Sequence, residues 1–286
     1  MELEPGLLCV HPHPDDESIA CGGVLAKYSS AGRRVKVVTC TRGEAGDNLA
    51  GIDLGGDDLI THRERELANA LAELGVDDHE FLGYRDSGMV DTESNLHPDS
   101  FHLADLYEAA ARLARIIRRF RPAVVVSDDE RGTYGHPDHI KAYRVTERAV
   151  AMAADPWWET PDVGEPWQVA KRYVHAISET RVLMLHRELR SRDLDSPFGD
   201  IDESELEELP FGVPDEQITT RVDVREWLPR KRAAMAAHRS QISEDSFFLN
   251  TPSEIIEDAF GTEEFTLVRS EVPTNGDEDL FDGVPG

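Results

Sequence analysis

Short apolar runs alternate with amphipathic segments along the first part of the chain. Residues 6–10 and 34–40 are rich in Leu and Val, and residues 19–30 between them carry apolar side chains at helical spacing. The order strand, helix, strand within about forty residues predicts a βαβ unit. A parallel pair of strands is therefore expected near the N-terminus.

The same alternation continues to residue 127. Helical spacing predicts helices over residues 60–74 and 103–120, and the apolar segments 80–82 and 122–127 are predicted as further strands. Near-continuous Val runs between helices indicate strands that are buried on both faces. We therefore predict an α/β fold with Rossmann-like layering, in which helices cover both faces of a mostly parallel sheet.

The character of the chain changes near residue 160, after a segment rich in Pro and Trp. The later elements that the pattern predicts are strands at 173–177 and 218–224, helices at 181–192 and 229–242, and an acidic surface loop or lid at 193–216. These observations favour a core over residues 1–160 and a smaller C-terminal α+β part over residues 161–286. Both parts are also compatible with one shared core.

Composition and charge exclude several classes of partner. The chain has 286 residues, 57 acidic and 30 basic, and a formal net charge of −27. Because binding to nucleic acid depends on basic side chains that neutralise phosphates, we expect no nucleic-acid partner. No apolar run is long enough to span a membrane and the N-terminus lacks a signal-peptide pattern, so a cytoplasmic location is expected. The oligomeric state stays open, a homo-oligomer included.

The three cysteines and the glycines argue against two common kinds of site. Cys9, Cys21 and Cys40 show no C-x-x-C spacing, and we predict that they are core residues rather than disulfides or zinc ligands. No G-x-G-x-x-G motif follows the first strand, because Gly22 and Gly23 already lie within the predicted helix. Dinucleotide binding is therefore disfavoured.

Two loops that follow predicted strands carry the polar chemistry. Open α/β sheets bind ligands beyond the carboxyl ends of their strands. Residues 11–17 read His-Pro-His-Pro-Asp-Asp-Glu after the first strand, and residues 128–139 end in Tyr-Gly-His-Pro-Asp-His after the strand at 122–127. Each loop ends in a His-Pro-Asp sequence at the start of a predicted helix.

These residue types are suited to a divalent metal, zinc first. Three protein ligands with one open position are typical of a catalytic zinc site. His13 and Asp16 are three residues apart, so at a helix start their side chains point the same way, and His139 is a candidate for the third ligand. Asp15 then projects differently and is free to take a proton from a bound water. His11 is predicted to support the site or the fold rather than bind metal.

The two motifs resemble those of a known family. Residues 13–17 and 134–139 are similar to the motifs of the zinc-dependent N-deacetylases of the N-acetylglucosaminyl-phosphatidylinositol deacetylase (PIG-L, LmbE-like) family. The similarity covers most of the chain and is weakest at 193–216. Further similar segments are residues 41–47, 63, 83–89 and 237–241, and residues 262–265 and 279–281 resemble the tail of the family's mycothiol branch.

The resemblance implies a role for each residue of the two motifs. It implies one zinc ion per chain, with Fe²⁺ as an alternative, and the implied ligands are His13, Asp16 and His139. Asp15 would act as general base, His136 would assist the departing amine or the charged intermediate, and Tyr134 would polarise the amide carbonyl. Arg63 and Asp86 resemble residues that bind sugar or inositol hydroxyls. The remaining residues implied at the substrate are Asp47 and Met89, which would line the pocket, and His238, which would approach from the C-terminal part.

The expected function is hydrolysis of an N-acetyl group from a small glucosamine-containing substrate of the N-acetylglucosaminyl-inositol type. Within the same family, an amidase acting on mycothiol S-conjugates stays open: residues 85–89 and 134–136 resemble the deacetylase, whereas the chain length and residues 196–198 resemble the amidase. A metal-dependent phosphoesterase is disfavoured because two-metal sites usually need more carboxylates. A structural metal in a binding module would need a fourth protein ligand.

Overall fold

A computed structural model describes residues 4–49, 51–158, 163–194, 196, 212–274 and 276–285. Most of the predicted loop at 193–216 lies outside these residues. Residues 197 and 198, which bear on the amidase resemblance, lie outside them as well.

Seven strands form the sheet in the part of the chain that the structure describes. They are β1 (Gly6–His11), β2 (Val35–Thr39), β3 (Asp78–Phe81), β4 (Pro122–Ser127), β5 (Lys171–Ala176), β6 (Thr220–Asp223) and β7 (Thr262–Ser270). The α-helices of the described residues are α1 (Asp16–Ser30), α2 (Leu59–Leu74), α3 (Leu106–Phe120), the short distorted α4 (Gly132–Gly135), α5 (Pro137–Ala154), α6 (Glu179–Ser191), α7 (Leu228–Ala237), α8 (Phe247–Asn250) and α9 (Ser253–Phe260). Short 3₁₀ helices lie at Ser94–Leu96, Phe101–Leu103, Asp215–Gln217 and Arg225–Trp227.

The sheet is mostly parallel, as predicted. Its strand order is β3-β2-β1-β4-β5-β7-β6. The five neighbouring strands β3, β2, β1, β4 and β5 pair in parallel. Strand β7 runs antiparallel to both of its neighbours, β5 and β6. The α/β fold class is confirmed, and strands from the C-terminal part extend the same sheet. The division near residue 160 stays a prediction.

Both faces of the sheet are buried, which explains the continuous apolar runs. Every residue of β1 and β4 is buried. Alternate side chains of β1 enter two separate core clusters. Leu7 and Cys9 belong to one cluster, and Leu8 and Val10 belong to the other. A strand covered by helices on both faces needs apolar residues at every position rather than at every second one. The three cysteines are buried free thiols, as predicted.

Capping side chains set several helix boundaries. Asp58 accepts a hydrogen bond from the Thr61 amide at the start of α2, and Asp105 accepts one from the Glu108 amide at the start of α3. The cap at Asp105 explains why α3 begins at residue 106 rather than at 103. Helix α7 ends at Ala237, five residues before the predicted end at 242, because His238 leaves helical geometry (φ −81°, ψ 54°).

Strand β7 was not predicted, and it anchors helix α1. Glu263 on this strand is buried and accepts hydrogen bonds from the amides of Gly23 and Val24 at 2.7 and 2.8 Å. The ammonium group of Lys231 on α7 lies 2.6 Å from the same carboxylate. The buried carboxylate thus has three donors, which offset its loss of solvation.

The topology brings the two polar loops together. Strands β1 and β4 are parallel neighbours, so their carboxyl ends lie side by side. The loops that follow them therefore meet at one edge of the sheet. None of the helices in the described part of the chain combines the length and the apolar character that crossing a bilayer requires.

Gly23→Ala is expected to destabilise the fold, although Ala usually favours a helix over Gly by about 1 kcal/mol. A Cβ at Gly23 would lie 2.6 Å from Val224 Cβ and 2.8 Å from Glu263 Oε1. Overpacking of this kind costs about 1–3 kcal/mol. Denaturant unfolding measures the change. Gly22→Ala is the matched control, because its nearest contact is Lys231 Cγ at 3.0 Å; an unchanged stability of Gly23→Ala would contradict the prediction.

Candidate active site

The residues predicted as metal ligands converge at the edge of the sheet. Asp16 is the first residue of α1, and His139 lies in the first turn of α5. Asp16 Oδ2 is 3.4 Å from His13 Nδ1 and 3.6 Å from His139 Nε2. The ring centroids of His13 and His139 are 5.4 Å apart. These three residues are called the His–Asp cluster below.

A buried carboxylate holds the outer nitrogen of each imidazole. His139 Nδ1 is 2.5 Å from Asp128 Oδ1, and His13 Nε2 is 3.2 Å from Asp138 Oδ2. The other nitrogens, His139 Nε2 and His13 Nδ1, therefore face Asp16. Hydrogen bonds of this kind orient metal-binding histidines and fix their tautomers. Sequence reasoning missed both roles, although Asp128 directly follows β4 and Asp138 lies beside His139.

The donor set fits a metal ion. His139 Nε2 is buried and has no hydrogen-bond partner among the described residues, which is unusual for a polar atom in a protein interior. It faces the Asp16 carboxylate, and two imidazole nitrogens with one carboxylate oxygen suit a borderline divalent cation. The cluster is thus able to hold a metal.

His136 borders the same cluster from the start of α5. One ring nitrogen each of His13, His136 and His139 lie within 4.8 Å of one another. His136 Nδ1 accepts a hydrogen bond from the Asp138 amide at 3.1 Å, so the neutral ring carries its proton on Nε2. Burial, together with the charges of His13 and His139, lowers the pKa of His136 to about 4. The ring is therefore neutral at pH 7 and offers one N–H donor.

The pKa values of two adjacent carboxylates, Asp15 and Asp16, shift in opposite directions. Burial raises the pKa of Asp15 to about 6, and the charge of Asp16 adds to that effect. Burial also disfavours the ionised form of Asp16, but His139 and His13 outweigh it and lower the pKa of Asp16 below its ordinary value. Paired acids with different pKa values are typical of active sites in which one acid exchanges a proton and the other stays ionised.

The backbone of Asp15 is strained, and buried contacts hold it. Its φ of +124° is rare for a residue with a side chain and costs on the order of 1–3 kcal/mol. The Asp15 amide donates to Glu17 Oε2 at 3.0 Å, while Arg63 Nη2 donates to the Pro14 carbonyl at 2.8 Å and lies 3.4 Å from Asp15 Oδ2. These contacts fix the Asp15 backbone beside the Arg63 guanidinium.

His238 is buried against Glu17 of α1. Its side chain is 0% exposed, and His238 Nε2 lies 2.7 Å from Glu17 Oε1. Helix α7 ends at residue 237, so the chain turns His238 inward against α1. A direct contact between His238 and a substrate, which the resemblance implies, stays a prediction. Glu17, which His238 contacts, also accepts a hydrogen bond from the Asp15 amide, so the pair supports the Asp15 backbone.

The other residues implied at the substrate occupy two different environments. Arg63 is buried and donates to the Gly43 carbonyl. Asp86 is also buried, accepts from the Gly88 amide at 2.8 Å, and lies 3.5 Å from His13 Nε2. Met89 is 45% exposed and Asp47 is exposed. Binding of sugar hydroxyls by these residues stays a prediction.

A cavity of about 480 Å³ opens onto the His–Asp cluster. Asp15, Asp16, Tyr134 and His139 form its polar end. The Tyr134 ring centroid lies 5.3 Å from that of His139, on a segment where Thr133 adopts a positive φ of 61°. Burial and the negative charge of Asp16 raise the pKa of Tyr134 above its ordinary value, so its hydroxyl stays protonated and can donate a hydrogen bond.

Comparison with known proteins agrees with this geometry. Residues 8–150, which contain both motifs, match the family model described as PIG-L: GlcNAc-PI de-N-acetylase. The chain belongs to the PIG-L family.

Relatives in this family extend the match over almost the whole chain. A protein from Thermomonospora curvata is 46% identical over 98% of this chain and 97% of its own length. Another from Thermobispora bispora is 47% identical over 91% of this chain and 87% of its own length. Both are named 1D-myo-inositol 2-acetamido-2-deoxy-alpha-D-glucopyranoside deacetylase.

A solved structure shares the fold of this PIG-L chain. N,N'-diacetylchitobiose deacetylase from Pyrococcus horikoshii superposes with a TM-score of 0.63 at 22% identity, covering 98% of this chain and 86% of that one. Identity at this level speaks for the fold alone. A distantly related sequence therefore adopts the same fold.

Glu17→Gln in this PIG-L protein is expected to lower the unfolding free energy by about 2 kcal/mol, typical of a buried hydrogen bond between charged groups. Burial alone would raise the pKa of Glu17, but the charge of His238 has the larger effect and lowers this pKa to about 2. Glu17 in turn raises the pKa of His238. The pair therefore contributes fully between the unfolded-state pKa values of about 4.3 for Glu and about 6.5 for His.

Urea unfolding of parent and variant across pH measures this effect. The stability difference should shrink as the pH falls toward about 2, and again as the pH rises through the raised pKa of His238. Ser18→Ala is a useful control, because it removes a neutral donor to the same carboxylate and leaves the ion pair in place. A difference that is constant with pH would contradict the charge assignment.

Proposed function

We propose that this PIG-L protein is a metal-dependent hydrolase that removes the N-acetyl group from an N-acetylglucosaminyl-inositol type of substrate. The observation that carries the proposal is the cavity whose polar end joins Asp15, Tyr134 and the ligand pair Asp16 and His139. The names of the two relatives, at 46% and 47% identity, support the choice of substrate. The substrate is then a small acetylated amino sugar.

The proposed metal is one zinc ion per chain. It would be held by His13 Nδ1, one carboxylate oxygen of Asp16 and His139 Nε2, the atoms that face one another in the cluster. When bound, such an ion lowers the pKa of a water molecule toward about 7 and polarises an acyl oxygen. Asp128 and Asp138 would orient the two imidazoles throughout.

Asp15 is proposed to carry the proton. Its pKa of about 6 leaves it ionised at pH 7 yet basic enough to accept a proton from the attacking water. Arg63 and the Glu17–His238 pair hold the strained Asp15 backbone, so the carboxylate keeps its direction while its charge changes. General acid–base help of this kind contributes about 10²- to 10⁴-fold to the rate.

Tyr134 and His136 are proposed to donate hydrogen bonds to developing negative charge. Both groups are neutral and protonated at pH 7, the phenol because its pKa is raised and the imidazole because its Nδ1 is occupied by the Asp138 amide. Donors that are already in position stabilise an oxyanion without reorganisation. His136 is too weak a base to hold a second proton at neutral pH, so Asp15 is the better source of the proton for the departing amine.

The proposed reaction balances without any further reactant. The oxygen of water bonds to the acyl carbon, and the bond from that carbon to nitrogen breaks. The proton that Asp15 took from the water passes to the nitrogen. The second proton of the water leaves on the acetic acid, which ionises to acetate as the released sugar amine becomes an ammonium group, and Asp15 returns to its ionised form.

Release of free amine from three substrates tests the proposed function. The purified, zinc-loaded protein is assayed with N-acetylglucosaminyl-inositol, N-acetylglucosamine and a mycothiol S-conjugate. The highest kcat/KM is expected for N-acetylglucosaminyl-inositol, because the family resemblance assigns polar contacts to both rings. A higher value for the S-conjugate would favour the amidase, and the absence of amine from all three would refute the hydrolase.

Asp15→Asn and His139→Ala should fail in different ways. Asp15→Asn is expected to keep its zinc and to lose about 10²- to 10⁴-fold in kcat, because it removes the proton carrier alone. His139→Ala should lose the zinc itself. Metal analysis and amine release on both variants separate the two roles; full zinc occupancy in His139→Ala, or near-parent turnover in Asp15→Asn, would contradict the assignment.

A further inference from the structure

The cavity of about 480 Å³ has a mixed wall. Besides Asp15, Asp16, Tyr134 and His139, residues of helices α1, α6, α7, α8 and α9 line it. Its apolar side chains include Ile19, Ile177, Leu185, Val213, Phe248 and Phe260, and its other charged side chains include Asp129, Arg131, Arg181, Lys231, Glu263 and Glu264. The part of the cavity that the apolar side chains line is called the acyl chamber below.

The cationic side chains that border the acyl chamber are engaged with protein partners. Lys231 lies 2.6 Å from Glu263, and Arg181 lies 3.2 Å from Glu264 and donates to the Ala259 carbonyl at 3.1 Å. Arg131 donates to the Gly212 carbonyl at 2.7 Å. Since these cations are already neutralised or hydrogen-bonded, the chamber is suited to an uncharged apolar group rather than to an anion.

A sugar or inositol ring is a poor occupant of such a chamber. Each hydroxyl buried against apolar side chains loses its hydrogen bonds to water, at a cost of a few kcal/mol. The residues that the family resemblance assigns to the sugar lie elsewhere, because Arg63, Asp86, Asp47 and Met89 are not part of the cavity wall. The residues assigned to the sugar and the apolar residues of the cavity wall are thus two different sets.

We propose that the acyl chamber binds the acyl chain of the substrate, and that the protein hydrolyses N-acyl glucosamines whose chain is longer than acetyl. This inference rests on the proposed amide hydrolysis and names its acyl-side specificity. An apolar cavity of about 150 Å³ is large enough to bind benzene. The present cavity has about three times that volume, so a single methyl group leaves most of it unfilled.

The reaction is the same as for the acetyl group. Water oxygen bonds to the acyl carbon, the carbon–nitrogen bond breaks, and the nitrogen takes up the proton. The second proton of the water leaves on the chain's carboxylic acid, so the products at neutral pH are the carboxylate of the chain and glucosamine in its ammonium form. Each methylene that moves from water into the chamber is worth up to about a fourfold gain in binding.

A chain-length series tests the proposal on the intact zinc-loaded protein. The probes are N-acetyl-, N-butyryl-, N-hexanoyl- and N-octanoyl-glucosamine, with glucosamine release as the readout. We expect kcat/KM to rise about two- to fourfold per added methylene until the chamber is filled. A steady fall from N-acetyl to N-octanoyl would overturn the proposal.

Variants in the chamber wall identify where the chain binds. Ala176→Leu places three additional carbon atoms in the cavity, and Phe248→Ala removes a half-buried wall of it. Each is expected to lower the ratio of N-hexanoyl to N-acetyl kcat/KM at least fivefold, in line with the loss of about one to two buried methylenes. A ratio equal to that of the parent in both variants would overturn the assignment of the chamber.

Leu249→Ala and Met184→Ala are the matched controls. Leu249 follows Phe248 on α8, and Met184 precedes Leu185 on α6, but neither is part of the cavity wall. Both should keep the parent ratio, and urea unfolding confirms that all four variants are folded. Release of glucosamine from the N-acetyl probe alone would refute the acyl chamber and leave the proposed function standing. Failure with every N-acyl substrate, N-acetylglucosaminyl-inositol included, would refute both.

Discussion

Two buried carboxylates that each hold one imidazole determine the geometry of the whole site. Asp128 contacts Nδ1 of His139, and Asp138 contacts Nε2 of His13. Because these nitrogens are held, the other two, His139 Nε2 and His13 Nδ1, face Asp16. The arrangement gathers carboxylates and imidazoles in a region with little solvent. Positive charge must balance the carboxylates, because an uncompensated buried charge costs several kcal/mol.

Protons and a metal ion compete for that balancing role. The pKa values of His13 and His139 are raised because carboxylates surround them, even though burial alone would lower them. A divalent cation binds the deprotonated rings, so its binding releases protons and depends on pH. The same carboxylates that orient the rings therefore also tune the strength of the candidate metal site. Asp15 precedes Asp16 in the chain, has a strained backbone and lies 3.4 Å from Arg63 Nη2, so its carboxylate has a different partner from that of Asp16.

Much of this architecture could be predicted from the sequence, because it depends on local patterns. The apolar runs at β1, β2 and β4 and the two loops that contain His-Pro-Asp identified the parallel sheet and the edge that carries the chemistry. Strand β7 was missed because its Glu263 and Glu264 suggest a solvent-exposed segment, whereas in the fold both are buried against cations and amides. Such pairing joins residues more than 30 positions apart, which no local pattern reveals.

The supporting residues of the site were harder to find for the same reason. Asp128 and Asp138 lie in the same segment as His139, but Asp138 contacts His13 only because β1 and β4 are neighbours in the sheet. His238 was expected at the substrate, and its burial against Glu17 follows from the early end of α7. Local sequence predicts which residues carry chemistry, while the packing of distant elements decides which of them face a ligand and which hold others in place.

A crystal structure of the zinc-loaded protein with an anomalous difference map at the zinc edge tests the central claim most directly. One ion is expected at about 2.0–2.2 Å from His13 Nδ1, an Asp16 oxygen and His139 Nε2. An ion bound by His136 in place of Asp16, or bound by Cys9, His11 and Cys21 in the core instead, would contradict it.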